Sequence, residues 1–572
     1  MHDLVIRGGT IADGTGAPAR TGDVAIDGGR IAAAGGKAGP GRREIAADGL
    51  LVTPGWVDIH THYDGQVTWD PHLTPSCWHG VTTVVMGNCG VGFAPAQPDR
   101  HDWLIGLMEG VEDIPGTALA EGIRWEWETF PEYLDAVERM PRALDVGAQV
   151  PHGAVRAYVM GERGARNEKP TPDDIERMAA IVREGIAAGA LGFTTSRTLL
   201  HRAVDGEPVP GTFASEDEVL GIGRVLGELG RGVFEMASDL APEGRELAWM
   251  TKLAGETRRP VTFACLQNDV DPGQWRRLLD AAAEAAAAGA PVVPQVAGRP
   301  TGLLMGLEGT AHPFLYHATY REIARLPLAE RVTRMRDPAF RRRLLEESPA
   351  IQNPMAAFVA RSFHKLFPLG DPPDYEPCPE QSVRAIAERE GRTPEEVVYD
   401  LMLRRDGKEL LYFPILNYAD GSFEAIREML QHPQAVLGLS DGGAHCGLIC
   451  DASTPTYMLS YWVRDRRRGE RLPLEQVVRN QTRSTARLYG LQDRGVLAPG
   501  MLADVNVIDF ESLRVEAPRM VHDLPGGGKR LIQEAAGYRS TVKSGEVIFE
   551  DGEPTGALPG RLVRGPQLPP AA

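Results

Sequence analysis

Two kinds of hydrophobic pattern divide the chain. In the first fifty residues, short runs that alternate apolar and polar positions are separated by glycine turns, as in "DLVIRGGTIADGTG" and "GDVAIDGGRIAAAG". The same pattern returns near the C-terminus in "GVLAPGMLADVNVIDF" and "YRSTVKSGEVIFEDGEP". Alternation of this kind is typical of antiparallel hairpins. We therefore predict that residues 1–54 and 491–572 form one small β-sandwich domain, in which the two chain ends meet.

Between these ends, apolar runs of strand length alternate with helix-length segments such as "PDDIERMAAIVREGIAAGA". We predict strands near residues 52–59, 81–87, 145–150, 190–195, 232–237, 260–266, 291–296 and 434–440. Such alternation indicates parallel βαβ units, and eight of them predict an α/β fold, a (β/α)8 TIM barrel over residues 55–490. The stretch 297–410 is too long for a connection, so we predict an insertion there that could cover the barrel mouth.

Composition limits the partners and the location of the protein. The chain has 572 residues, with 61 Lys plus Arg against 78 Asp plus Glu, a net charge of −17. This acidic balance argues against nucleic acid and anionic membranes as partners. The N-terminal "MHDLVIRGG" lacks a signal-peptide pattern, and no apolar run reaches about 18 residues. The six cysteines form no C-x-x-C pair, which argues against a zinc finger. We expect a cytoplasmic protein of undetermined oligomeric state.

Two histidines end the first predicted barrel strand, in "GWVDIHTHYDGQ". In a strand, residues two apart point to one face, so His60 and His62 are predicted to project together at the C-terminal rim. Barrel active sites lie at that rim. The pattern therefore predicts a pair of metal ligands, with two ordinary polar rim residues as the alternative.

Two further candidates follow other strands. Cys89, in "VVMGNCGVGFAP", could bind zinc as a thiolate or be a small buried hydrophobe. Asp441, in "VLGLSDGGAHCG", could take a proton from water as the general base of metal-assisted hydrolysis, or cap a helix. His445, four residues later, could orient that carboxylate.

Together these residues resemble the amidohydrolase superfamily, specifically the N-acyl-D-amino-acid deacylase (D-aminoacylase) branch. The resemblance is carried by "VTPGWVDIHTHYDGQ", "GVTTVVMGNCGVGFAPA", "MEGVEDIP", "GALGFTTS", "SDGGAH" and "GVLAPGMLADVNVID". It implies a metal-dependent barrel that carries a β-sandwich made from both chain ends and hydrolyses amides with a zinc-activated water. It also implies that His60, His62 and Cys89 bind zinc, and that Asp441 is the catalytic aspartate.

The chain departs from the family after the fifth and sixth strands, where the family places one histidine each. Ala237 and Cys265 stand at these positions. Cys265 is either a substitute ligand or a core cysteine, and Glu235 is another candidate ligand. Where the family has a lysine that binds the substrate carboxylate, this chain has Gln267, which lacks the charge-assisted part of such a bond.

Other polar groups near strand ends could take over substrate binding. Each could equally be a structural hydrogen-bonding residue. The candidates for substrate contact are His152, Arg156, Arg197, His201, Cys265, Gln267, Arg299 and His445.

These observations predict a metal-dependent hydrolase of a non-peptide C–N bond in a small-molecule amide, such as an N-acyl-(D-)amino acid. The cofactor is predicted to be one zinc or other divalent ion per chain, held by His60, His62 and Asp441, with Cys89 as a further ligand. A cyclic amide or lactone hydrolase on the same barrel is an alternative, as is a degenerate barrel that binds a ligand without turnover. The intact rim residues argue against the degenerate barrel.

Overall fold

The computed structural model describes residues 1–349 and 351–570. Its strands are β1 (His2–Ile11), β2 (Arg20–Asp27), β3 (Arg30–Ala34), β4 (Gly41–Ala46), β5 (Leu51–Pro54), β6 (Trp56–Asp58), β7 (Val81–Met86), β8 (Asp145–Pro151), β9 (Gly192–Arg197), β10 (Val233–Ser238), β11 (Val261–Ala264), β12 (Val292–Val296), β13 (Gly302–Met305), β14 (Phe367–Pro368), β15 (Leu411–Pro414), β16 (Val436–Leu437), β17 (Val505–Ile508), β18 (Arg514–Val515), β19 (Arg519–Leu524), β20 (Gly528–Ile532), β21 (Ala535–Ala536), β22 (Tyr538–Lys543), β23 (Glu546–Glu550) and β24 (Glu553–Pro554).

The α-helices are α1 (His101–Glu112), α2 (Gly116–Gly122), α3 (Phe130–Arg139), α4 (His152–Met160), α5 (Glu162–Ala165), α6 (Pro172–Ala188), α7 (Glu216–Leu229), α8 (Glu243–Thr257), α9 (Gln274–Ala287), α10 (Ala318–Arg321), α11 (Leu328–Met335), α12 (Pro338–Leu345), α13 (Pro354–Arg361), α14 (Val383–Glu390), α15 (Pro394–Met402), α16 (Glu424–Gln431), α17 (Thr454–Tyr457), α18 (Leu474–Arg479) and α19 (Thr485–Leu488). Within the described residues, none of these helices combines the length and apolar composition that a membrane crossing requires.

Eight parallel strands form the barrel, in the order β6-β7-β8-β9-β10-β11-β12-β16. Strands such as β7 and β8 are buried along their whole length, as expected for parallel strands covered by helices. The first and last strands are joined beyond their ends by a parallel bridge between Thr61 and Gly442. The predicted α/β barrel is confirmed, and each of its eight strands falls within or close to a predicted segment.

The first predicted strand, 52–59, is two strands. Residues of β5 pair with β1 and β17 in the terminal sheet, whereas β6 pairs with β7 in the barrel. Gly55 lies between them, where a Cβ atom would come within 2.3 Å of the Thr82 side chain. The chain passes from one sheet to the other at this residue, and a glycine there allows the close approach to Thr82.

Both chain ends contribute to one nine-stranded sheet, in the order β24-β23-β22-β17-β5-β1-β2-β3, with β4 also paired to β1. The predicted meeting of the two ends is confirmed, although these strands are hydrogen-bonded in one continuous path. The sheet has its own hydrophobic cluster, which includes Ile6, Val24, Val507 and Val542. The segment predicted as an insertion contains α10 to α15 and packs on a separate cluster around a small sheet of β13, β15 and β14.

Local signals explain several helix starts. Thr171 caps α6 in a reciprocal capping box with Asp174. Ser215 likewise accepts the Glu218 amide at the start of α7. The Glu218 carboxylate is not used for the reciprocal bond, because it binds His152 and Arg156 instead.

Candidate metal centre

His60 and His62 follow β6 and lie next to each other at the barrel mouth, with ring centroids 5.5 Å apart and 1% exposure each. Backbone bonds fix them against the segment after β16: His62 N–H donates to the Gly442 carbonyl at 2.8 Å, and Asp441 N–H donates to the His60 carbonyl at 3.1 Å. The Nε2 atoms of His60 and His62 lie 3.4 and 3.7 Å from Asp441 Oδ1. The structure thus brings three of the predicted residues together.

Cys89 is the fourth member of this cluster. Its Sγ lies 3.4 Å from His60 Nε2, and the ligand atoms of His60, His62 and Cys89 are all within 4.8 Å of one another. The residue has a left-handed backbone (φ 55°) in the turn that follows β7. This backbone aims the thiol into the mouth, so Cys89 lies where a metal ligand is expected.

The protonation of the cluster follows from its burial and its charges. Burial lowers the pKa of His60 to about 4, which leaves a neutral imidazole. Burial would also lower the pKa of His62, but the charges of Glu112 and Asp441 raise it to about 9. For Asp441, burial favours protonation, but the imidazoles outweigh it and lower its pKa. Burial raises the pKa of the Cys89 thiol.

This donor set fits a divalent metal. Two imidazoles, one thiol and one carboxylate are the ligand types that zinc prefers. A bound cation would favour the thiolate of Cys89 and the unprotonated form of His62, so metal binding would release protons.

Asp441 is not a helix cap, which the sequence had left open. It has a left-handed backbone (φ 50°), and the next helical turn begins only at Asp451. Its side chain is 16% exposed, against 1% for the two histidines. Asp441 is therefore the most accessible of these three groups.

Glu112 is a site residue that sequence reasoning did not single out. It ends α1 and is 1% exposed. Its Oε1 lies 3.2 Å from His62 Nδ1, and its Oε2 lies 3.6 Å from His445 Nε2. The motif "MEGVEDIP" was the only sequence signal. The hydrophobic pattern of a helix does not predict that a carboxylate at its end lies beside a strand distant in sequence.

His445 and His201 border the cluster. His445 Nε2 lies 4.0 Å from Asp441 Oδ2, close enough to affect that carboxylate. His201 accepts or donates a 2.9 Å hydrogen bond at Ser196 Oγ. Burial, aided by the charges of His445 and His62, lowers the pKa of His201 to about 3. Ser196 pairs across β9 and β10 with Ala237, the position at which the resemblance implies a histidine.

Glu235 lies two residues before Ala237 on β10, further from the barrel mouth, and is fully buried. Its Oε2 accepts the Cys89 amide hydrogen at 3.1 Å, and its Oε1 is 4.0 Å from His60 Nδ1. Burial raises the pKa of Glu235 to about 8. The structure therefore places a carboxyl group against two members of the cluster from the strand that lacks the histidine.

Two predicted substrate contacts have complete structural partners. His152 bonds Thr195 Oγ1 at 2.8 Å and Glu218 Oε1 at 3.1 Å, which occupies both ring nitrogens. Arg197 forms a two-point pair with Glu246 and also donates to a backbone carbonyl. This geometry favours structural roles for both residues.

Three more predicted contacts are likewise engaged within the protein. Cys265 is fully buried in the main core, and its Sγ lies 3.9 Å from the Trp275 carbonyl. Gln267 donates to Asp420 Oδ2 at 2.7 Å and accepts the Ala419 amide hydrogen. Arg299 is buried against Asp451 and over the ring of Tyr375. Their polar atoms have partners within the protein, and substrate contact for these residues remains a prediction.

A closed parallel barrel with imidazole, thiol and carboxyl donors converging at its C-terminal mouth defines the class of metal-dependent barrel hydrolases. The model of the amidohydrolase family matches residues 43–549. The chain therefore belongs to the amidohydrolase family.

Individual relatives agree with this assignment. The chain is 28% identical over 573 residues to an N-acyl-D-glutamate deacylase of Alcaligenes xylosoxydans xylosoxydans, covering 98% of this chain and 96% of the relative. The structure of N-acyl-D-glutamate deacylase from Bordetella bronchiseptica, complexed with zinc and a phosphonate inhibitor, is similar with a TM-score of 0.63 and 25% identity, covering 98% and 99% of the two chains. A D-aminoacylase with a binuclear metal centre shares the fold, with a TM-score of 0.65, 24% identity and coverage of 99% and 100%.

Proposed function

We propose that this amidohydrolase removes the acyl group from an N-acyl-(D-)amino acid or a related small N-acyl compound. The observation that carries the proposal is the convergence of His60, His62 and Cys89, with Asp441 Oδ1 3.4 Å from His60 Nε2. The deacylase names of the relatives at 27–28% identity support the same substrate class. A cytoplasmic location remains a sequence-based prediction.

We further propose that the centre holds one zinc ion per chain, or another divalent ion. His60, His62, Cys89 and Asp441 would hold it. Supporting a single ion, Ala237 has no donor atom, and Cys265 faces the Trp275 carbonyl in the core.

When bound, the metal supplies polarisation of the amide carbonyl and a lower pKa for the attacking water. The remaining work falls to Asp441. Its carboxylate is ionised at neutral pH, because the imidazoles lower its pKa, and it is open to the mouth. It accepts the proton of the attacking water and passes it to the leaving nitrogen.

Two neighbours of the cluster keep these groups in place. Glu112 faces His62 Nδ1 at 3.2 Å, which directs His62 Nε2 towards Asp441. Carboxylate partners of this kind fix the tautomer and orientation of a ligating imidazole. His445 lies between Glu112 and Asp441 and can stabilise the ionised carboxylate.

The test is elemental analysis of the purified protein, with the same measurement on His60→Ala and His62→Ala. We expect close to one metal per chain in the parent and a loss of metal and turnover in both variants. His79→Asn is the matched control, because His79 is equally buried but bonds Thr456 and the Gln533 carbonyl. It should retain its metal.

Turnover is measured on a panel of N-acyl-D- and N-acyl-L-amino acids, with a cyclic amide and a lactone included. Hydrolysis of the acyl amino acids alone supports the proposed substrate class, and hydrolysis of the ring substrates alone contradicts it. A parent protein without metal, and without activity after zinc is added, would rule out the hydrolytic mechanism.

A further inference from the structure

Glu235 is a fully buried carboxyl group that the proposed reaction does not use. Its neighbour Phe234 packs against Trp249 of α8, with ring centroids 5.7 Å apart, so Phe234 faces the helix layer. Because successive strand residues point to opposite faces, Glu235 faces the barrel interior together with Ala237. Glu235 therefore lies on the face where the resemblance implies a histidine, two residues deeper in the barrel.

The two oxygens of Glu235 reach two different members of the cluster. Oε2 accepts the Cys89 amide hydrogen at 3.1 Å. Oε1 lies 4.0 Å from His60 Nδ1 and has no hydrogen-bond partner among the described residues. The same His60 nitrogen lies 3.2 Å from Gln295 Oε1. A buried carboxyl oxygen without a partner is costly, so its retention at this place needs a reason.

The backbone of Cys89 gives that reason. A non-glycine residue with φ 55° is uncommon and has to be held by its surroundings. Here the neighbouring strands hold it: Glu235 on β10 accepts the Cys89 amide, and Thr194 on β9 accepts the Gly90 amide at 3.2 Å. Without Glu235, the Cys89 amide would lose its partner in a buried site.

We propose that Glu235 is a positioning residue of the metal centre, which holds the Cys89 turn so that Cys89 Sγ converges with His60 Nε2 on one ion. Its carboxyl group supports the cluster from β10, the fifth strand of the barrel, where the histidine that the resemblance implies is absent. The inference rests on the proposed function, because it presupposes a metal bound by His60 and Cys89.

The experiment compares zinc affinity in full-length parent protein and Glu235→Leu, which has no atom that can accept the Cys89 amide hydrogen. Each protein is stripped of metal and titrated in competition with a chromophoric chelator. Loss of a partner behind a metal ligand typically weakens binding by about 10- to 100-fold, and we expect a loss in this range. Cobalt(II) loading provides a second readout, because a thiolate ligand produces a charge-transfer band in the near ultraviolet. We expect this band to be weaker or shifted in the variant, since the Cys89 turn is no longer held.

Glu376→Leu is the matched control. Glu376 is a buried carboxylate that pairs with Arg466 outside the cluster, so its removal can lower stability but should leave zinc affinity and the cobalt band unchanged. Glu235→Asp keeps a carboxyl group but withdraws it from the Cys89 amide by one methylene, and it replaces Glu235→Leu if that variant does not fold. Circular dichroism of the metal-free proteins checks folding.

Zinc affinity and a cobalt band in the folded Glu235 variant that equal those of the parent would overturn the inference and leave the proposed function standing. Absence of zinc binding and of turnover in the parent itself would instead remove the proposed function.

Discussion

Replacing Asp441 by asparagine tests the proposed chemistry most directly. Asparagine has nearly the same shape, and the backbone bond from Asp441 N–H to the His60 carbonyl does not depend on the side chain. The substitution therefore removes the proton acceptor and leaves the barrel closure in place. It also removes the charge that faces His60 Nε2 at 3.4 Å and His62 Nε2 at 3.7 Å.

The expected loss is that of a positioned general base. Such a group contributes typically about 10²- to 10⁴-fold to the rate, which corresponds to about 2.7–5.5 kcal/mol of transition-state stabilisation. The carboxylate is ionised in the parent, because the imidazoles lower its pKa. At neutral pH the substitution therefore removes an active base from every protein molecule. The decrease should appear in kcat, because the residue acts in the chemical step.

The assay is kcat for Asp441→Asn and parent at saturating zinc, with the metal content of the same samples measured in parallel. Asp113→Asn is a control, because Asp113 binds Thr310 and the Gly447 amide near the same loops without belonging to the cluster. Its kcat should stay close to that of the parent. A fully metallated Asp441→Asn protein whose kcat lies within tenfold of the parent would refute the base role.

Two further predictions concern buried carboxylates. Glu112→Gln should weaken zinc binding by about 10- to 100-fold, because it removes the negative charge 3.2 Å from His62 Nδ1. Dialysis against a chelator checks this, and unchanged retention of zinc would contradict it. Asp145→Asn should cost about 3–5 kcal/mol in urea unfolding at neutral pH, because Arg494 and Lys543 lose a buried partner. Burial favours protonation of Asp145, but Lys543 and Arg494 outweigh it and lower its pKa, so its contribution is complete above about pH 4 and is lost as the pH falls through the lowered value. The parent should therefore lose more stability below about pH 4 than Asp145→Asn does; equal losses would contradict the pKa shift.

Much of the architecture was predictable because it depends on periodic patterns. The eight apolar runs are local signals that predicted the barrel sheet. The glycine-rich hairpins at the ends are local signals that predicted the terminal sheet. The transfer between sheets at Gly55 was missed, because "LLVTPGWVDI" is apolar throughout and one close contact with Thr82 decides where it divides.

The candidate centre was predictable where its residues follow strand ends. His60, Cys89 and Asp441 all come directly after such ends, and the rim of a parallel barrel brings these together. Glu112 comes from the end of a helix, whose position at the mouth depends on tertiary packing. The sequence named Glu235 as a candidate ligand on β10 but did not predict its hydrogen bond to the Cys89 amide, which depends on the turn after β7.

The predicted substrate contacts depended on exposure, which the sequence does not give. Polar residues near strand ends can face the mouth or bind other loops, and the type of residue does not distinguish the two. Gln267 and Arg299 have partners in distant segments, Asp420 and Asp451, that no local pattern connects to them. The domain limits drawn from the sequence remain predictions.

The contact between the segments that follow the first and last barrel strands has a consequence for synthesis of the protein. Ser440 Oγ donates to the His60 carbonyl across 380 residues of sequence, and Asp441 follows directly. At about 5–20 residues per second, the ribosome needs roughly 20–80 s to make the intervening chain. During that time the nascent protein has both histidines and the cysteine but lacks the aspartate. Hydrolytic activity should therefore begin only when the last strand has closed the barrel, so a chain released early would be inactive even with metal bound.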